Sequence, residues 1–252
     1  MPILIKSGSS FKSSLSFKIT RIEDIPNLEG WWKAGVNIYK SISPLTPAAS
    51  GDSIYRWTDT TANARNFDQS TLSNRPTLID NAINGLPIVR MATSTAQNKF
   101  LDNTTLPASD GTSGITLFIV ALYSGTYPAT SNSAGGLSYF GNRMRYPNSS
   151  NNIEDITGSN TSAVFTPTLA INQWRVISSR SKTNLKTYYL NKTQQYTSTT
   201  NSFLMNTTKR IGNNNIDAFV GDLGDVLYFS RYLTDIENDA VISVLMTKFG
   251  LT

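Results

Sequence analysis

The sequence predicts an all-β fold that ends on a single helix. Short apolar runs bounded by Gly, Asn, Ser and Pro recur along the chain, the pattern of strands separated by turns. Charged residues make up only 15% of 252 residues, so Ser, Thr, Asn and Gln must supply the polar surface, a mix that suits strands and loops better than helices. Only the stretch from about residue 234 to 249 carries a helical period with a cap at each end. The length fits one large sandwich, and 10% aromatic residues give it the material for a core.

Taken in order, residues 1–26 form a Ser- and Lys-rich arm, ILIKSGSSFKSSLSFKITRIEDIP, with spaced apolar residues Ile3, Ile5, Phe11, Phe17 and Ile19. Alternation in FKI and KITRI permits an extended strand, but the apolar mass is too small to fold alone. Such an arm is expected to dock, either on its own domain or on a neighbouring subunit. The domain proper, residues 27–252, opens with LEGWWKAGVNIY, where adjacent Trp31 and Trp32 point to opposite faces of a strand. A strand follows at Ile54 to Trp57, then a hairpin of Thr77 to Ile79 and Pro87 to Met91 around Asn84-Gly85. GITLFIVALYSG is the strongest strand, apolar enough to be buried on both faces. LSYFGNRMRY reads as one strand between long polar loops. WRVISSRS, LKTYYLN and QQYTST form a meander turning at Asn191-Lys192.

The helix follows the strand GDLGDVLYFS. Thr234 is an N-cap and Glu237 completes a capping box, while Gly250 is placed to cap the C-terminus. Asp235, Glu237 and Asp239 suit the positive end of the dipole. Ile236, Ala240, Val244 and Leu245, with Val241 beside them, are expected to form the buried stripe. The helix is a lid for a sheet, without chemistry of its own.

The absence of cysteine and histidine excludes disulfide scaffolds, thiol nucleophiles, Cys- or His-based metal sites and Ser-His-Asp catalysis. A net charge of +5 is spread over scattered Lys and Arg, with no basic run longer than Lys209-Arg210, so nucleic acid is not an expected partner. The apolar start is too short for a signal-peptide core, and no run of transmembrane length follows.

WWKAGVNI, IYRWTDTTANARNFDQ, RPTLIDNAINGLPIVRM, LKTYYLN and GDLGDVLYFSRYLTDIENDAVISVLMTKFGL together resemble the laminin-G-like/concanavalin A-like lectin domains of bacterial surface proteins and tailed-phage virion proteins. The resemblance covers roughly residues 28–252. It implies a jelly-roll sandwich of two antiparallel sheets. Two departures matter. Asn191-Lys192 stands where the family often has Asn-Gly, and Thr60-Thr61 replaces the usual Ser-Gly, so no cation site is carried over. Asp52, Asp59 and Asp68 are chemically able to ligate a cation but read as turn formers. No metal or cofactor is expected.

Glycoside hydrolases share this fold and need two facing carboxylates. Of the four glutamates, Glu23 and Glu154 each adjoin an aspartate that a strand would turn to the opposite face, and Glu237 is used by the helix cap. Asp222 and Asp225, beside glycines, read as turn residues. No catalytic residue is therefore assigned. Two readings remain. The first is a virion structural protein of a tailed phage, made in a bacterial cytoplasm without membrane contact, oligomeric in the particle, its arm docked on capsid or tail proteins by strand addition. The alternative is a lectin module recognising host glycans through Tyr139, Arg143, Arg145 and Tyr146, joined by Tyr127 and the Asn-rich loop 148–152.

Overall fold

Period-two alternation over so many short strands requires two layers, and the computed structural model of the protein has two. It describes residues 21–94, 96–125, 135–205 and 208–252. The eight-stranded sheet runs β16 (Thr193–Ser198), β15 (Leu185–Leu190), β14 (Arg175–Lys182), β9 (Ile115–Tyr123), β18 (Gly221–Phe229), β7 (Leu86–Arg90) and β6 (Thr77–Ile83), with β1 (Leu28–Trp32) also paired to β18. Every pairing is antiparallel. The ten-stranded sheet runs β13 (Ala163–Phe165), β12 (Ile153–Asp155), β11 (Asn142–Arg145), β10 (Gly136–Phe140), β17 (Lys209–Ile211), β8 (Leu101–Asn103), β5 (Phe67–Asp68), β4 (Arg56–Trp57), β2 (Ile38–Ile42) and β3 (Leu45–Pro47). The helix α1 (Asp235–Phe249) lies on the outer face of the eight-stranded sheet.

Both core layers follow from the two tryptophans. Trp32 belongs to the cluster between the sheets and Trp31 to the cluster under the helix, the opposite faces that alternation predicts. From Trp32, whose ring centroid is 4.5 Å from that of Phe67, aromatic contacts continue through Phe140 to Tyr228 and tie one sheet to the other. Strands β9 and β18 are covered on both sides. Their inward residues, such as Leu117 and Tyr228, meet the ten-stranded sheet, and their outward ones, such as Phe118 and Leu227, meet the helix. An ion pair also joins the sheets from inside: Lys186 on β15 and Asp155 on β12 lie 3.1 Å apart, both buried. Burial lowers the Lys186 pKa against the opposing pull of Asp155.

Several elements match the sequence reading. Asn84 and Gly85 both have positive φ, 48° and 72°, as a tight type I′ hairpin between β6 and β7 requires. The Thr234–Glu237 capping box is formed, and Gly250 ends the helix in the left-handed conformation. Hydrogen bonds from Arg231 outweigh burial and, with those from Thr234, hold the Glu237 carboxyl down at about 2.

Others are corrected. The buried helix stripe is Asn238, Val241, Ile242, Leu245 and Phe249, whereas Ile236 and Val244 are exposed. The phase is set by a polar residue: Asn238 accepts a 2.5 Å hydrogen bond from Ser178 Oγ and so must face the sheet. LSYFGNRMRY forms two strands, β10 and β11, because Gly141 at φ 81° allows the chain to reverse between them. Asp222 and Asp225 lie within β18, not in turns. Asp222 takes a bidentate Arg90, and Asp225 accepts from Trp31 Nε1 (2.9 Å), the Ala34 amide (3.0 Å) and Lys248 Nζ (2.7 Å). Glu23 and Asp24 sit in a 3-10 turn, and Ile22 and Ile25 beside them pack in the cluster under the helix. Ile3, Ile5, Phe11, Phe17 and Ile19 lie outside the described residues.

Two predictions follow from this packing. Asp225→Ala strands the Trp31 indole and the Ala34 amide in the core, and is expected to lower unfolding free energy by ~3 kcal/mol in urea titration. Lys209 is buried, donates to the Leu106 carbonyl at 3.0 Å, and has its pKa pressed down to about 8 by burial and then by nearby Arg65. Between that value and the ordinary lysine pKa the unfolded chain binds the extra proton, so stability rises with pH there. Denaturation curves at pH 8 and pH 10 are expected to show a gain on the order of 1–2 kcal/mol that Lys209→Met abolishes.

Candidate functional site

On seven strands of the ten-stranded sheet, one residue locks into the core and its neighbour is forced outward. The core residues are Ile38, Trp57, Phe67, Leu101, Ile211, Phe140 and Met144. Their outward neighbours are Tyr39, Arg56, Asp68, Asp102, Arg210, Tyr139 and Arg143, all partly exposed. The strand registers put these seven side by side: Tyr39 opposite Arg56, Arg56 opposite Asp68, Asp68 opposite Asp102, Asp102 opposite Arg210, Arg210 opposite Tyr139, and Tyr139 opposite Arg143. The result is one continuous row running across the sheet, from β2 to β11.

Both carboxylates of the row are paired. Asp68 and Asp102 face each other across neighbouring strands, an arrangement that would repel if left alone. Each is therefore gripped by an arginine from its other side. Arg56 donates to both oxygens of Asp68 at 2.7 Å, and Arg210 donates to those of Asp102 at 2.6 and 2.9 Å. The bond to Asp68, working against burial, raises the pKa of the Arg56 guanidinium. Arg210 is further fixed by the Phe100 ring, 3.8 Å beneath its guanidinium carbon. At the β11 end of the row Arg143 shares Glu154 with Arg145, which also donates to Asp217 at 2.8 Å. Burial would raise the Glu154 pKa, but the two arginines outweigh it and keep the carboxyl below its ordinary value.

A pocket of about 350 Å³ opens at the centre of the row, between Arg56, Asp68 and Asp102, with Tyr55, Asn66 and Thr105 on its walls. The Tyr55 ring is held by Arg75, whose guanidinium carbon lies 4.7 Å from its centroid. A second pocket, of about 530 Å³, lies on the helix side around Arg180, Lys182, Tyr232 and Asp235. There Arg180 is 1% exposed and spends its donors on Thr187, the Leu233 carbonyl and Asp235, which fasten the helix start to β14. The first pocket presents fixed polar groups to solvent; the second uses them for the fold.

The structure separates the four residues singled out in the sequence. Tyr139 and Arg143 stand in the row. Arg145 is 9% exposed and occupied by Glu154 and Asp217. Tyr146 is a correction: it is fully buried in the core cluster between the sheets, so it offers no ring face to a ligand. Its phenol, with no hydrogen-bond partner among the described residues, has its pKa pushed up by burial. Tyr127 lies outside the described residues. Asp59 organises its turn as expected, accepting from the amides of Trp31, Thr61 and Arg65, and Asp52 binds the Ala49 amide. Among the described residues, no group of three or more acidic, His or Cys side chains is placed to hold a metal. Arg56, Asp102 and Arg210 escaped the sequence reading. Their signal was a charge directly beside an apolar anchor in each of YRW, LDN and KRI.

No family model matches the chain, and no curated protein matches it in sequence. Solved structures do match. The binding domain of Paraclostridial Mosquitocidal Protein 1 aligns with TM-score 0.63 and 13% identity, over 90% of this chain and 53% of that one. The botulinum neurotoxin serotype D binding domain in complex with N-acetylneuraminic acid gives 0.55 and 12%, over 87% and 51%. Trypanosoma rangeli sialidase gives 0.52 and 10%, over 90% and 34%. The chain thus spans about half the length of the toxin domains and a third of the sialidase. At these identities the likeness is one of fold: a two-sheet antiparallel β-sandwich with one C-terminal helix, built like parts of proteins that include toxin binding domains.

Proposed function

We propose that the chain is a non-enzymatic glycan-binding module of the lectin-like, laminin-G-like kind, and that the outward row of the ten-stranded sheet is its binding face. The observation that carries the reading is the row itself. Sugars are recognised by pre-positioned hydrogen-bond donors and acceptors beside aromatic rings. Here the arginine forks and carboxylates are fixed by each other, while Tyr39, Tyr55 and Tyr139 bring rings to the same surface. Relatives in fold that are binding domains, one of them in complex with a sugar acid, support the same reading.

Hydrolysis is disfavoured by the same geometry. A glycosidase needs one carboxyl free to give a proton and a second to act on the sugar. Asp68 and Asp102 each have both oxygens engaged by a guanidinium. The virion reading places the docking contact on the arm, whose residues 1–20 lie outside the described residues.

Glycan-array screening followed by calorimetry tests the proposal. The full chain is expected to bind a set of sugars, and Arg56→Gln/Asp68→Asn to lose at least tenfold in affinity. The double variant removes both ends of a partly exposed pair, so its stability should fall by no more than ~1 kcal/mol and binding loss can be read directly. Asp235→Asn, on the helix side, should bind as the parent does. A parent chain that binds no glycan, or a double variant that binds unchanged, would contradict the proposal.

A further inference from the structure

The row is long and its charged groups are already matched with partners, and both facts bear on what kind of glycan it fits. Neighbouring strands lie ~4.8 Å apart, so seven strands set Tyr39 and Arg143 ~29 Å apart across the sheet, and Tyr39 and Tyr139 ~24 Å apart. An aromatic ring therefore stands towards each end of a hydrogen-bonding centre. A single sugar could touch the central pocket and neither end. Along the face, Arg56, Arg210, Arg143 and Arg145 are matched by Asp68, Asp102, Glu154 and Asp217, each cation in contact with a carboxylate. These four arginines have no free fork to offer an acidic ligand, and Arg75, beside the pocket wall, spends its donors on the Gln69, Lys40 and Ser70 carbonyls.

Resting on the glycan reading above, we infer that the ligand is an uncharged, extended oligosaccharide lying perpendicular to the strands, its middle over the Arg56–Asp68–Asp102–Arg210 centre and its ends on Tyr39 and Tyr139. Each end adds contact area without altering the centre. Affinity should therefore grow with chain length and level off once the ligand spans both rings. Because the arginines along the row are already paired with carboxylates, salt should matter little.

The test is calorimetry on the full chain with a length series, from mono- to heptasaccharide, of the uncharged glycan that binds best on an array, alongside an acidic series of equal length. Affinity is expected to rise at least tenfold from monosaccharide to hexasaccharide, about 1.4 kcal/mol, and to change less than twofold between low and high salt. Tyr139→Ala should weaken the hexasaccharide at least fivefold and the mono- and disaccharide by a clearly smaller factor. Arg56→Gln/Asp68→Asn should weaken every length. A monosaccharide that binds as tightly as the hexasaccharide would overturn the extended ligand while leaving glycan binding intact. Preference for the acidic series with steep loss in salt would overturn the uncharged one. Absence of binding to any sugar would overturn this inference together with the reading it rests on.

Discussion

Strand β18 is buried along its whole length and on both faces, and the rest of the molecule is arranged to cover it. A strand in that position cannot leave either row of side chains in water without losing the stabilisation that apolar burial provides. One face is met by the ten-stranded sheet. The other needs a separate element, and α1 is that element. Asp225 fastens the arrangement, since one buried carboxylate binds the Trp31 indole of β1, the Ala34 amide beyond it and Lys248 of the helix. The helix, the one α-helix among the described residues, thus has a physical cause: it covers a second core, the one to which Trp31 belongs.

The same constraint shapes the opposite surface. Inward anchors such as Trp57, Phe67 and Phe140 fill the space between the sheets and fix the rotation of their strands. Once those anchors are set, the pleat leaves no choice about where the next side chain points. Arg56, Asp68, Asp102, Arg210 and Tyr139 come into line because their neighbours are locked, and the salt links then hold the long side chains in place. The surface is consequently cross-linked by ion pairs. Its hydrogen-bonding groups are positioned before any ligand arrives, which lowers the cost of ordering them on binding.

How much of this was legible in the sequence depended on how local the signal was. Thr234 to Glu237, Asn84-Gly85 and the run ITLFIVALY specify their structures within a few residues, and they are found as expected. The helix face was misjudged because Asn238, polar in type, is buried against Ser178, a partner 60 residues away that no helical pattern reveals. The row was invisible for a related reason. Its members come from strands in the order β2, β4, β5, β8, β17, β10 and β11, and β17 enters between β8 and β10 from far along the chain. Each residue alone is an ordinary charge on a short strand; only the sheet order makes them neighbours. Tyr146 misled in the opposite direction, because its position beside Arg145 and an Asn-rich loop resembled a surface site, yet it belongs to the core cluster between the sheets.

The central claim is that the outward row of the ten-stranded sheet, and not the helix side, is where this protein meets its ligand. Amide chemical-shift mapping during titration with an oligosaccharide tests it most directly. The account predicts shift changes concentrated at Tyr39, Arg56, Asp68, Asp102, Tyr139 and Arg210, with the surroundings of Arg180 and Tyr232 unmoved. Changes clustered around Arg180, Lys182 and Tyr232 instead would contradict it.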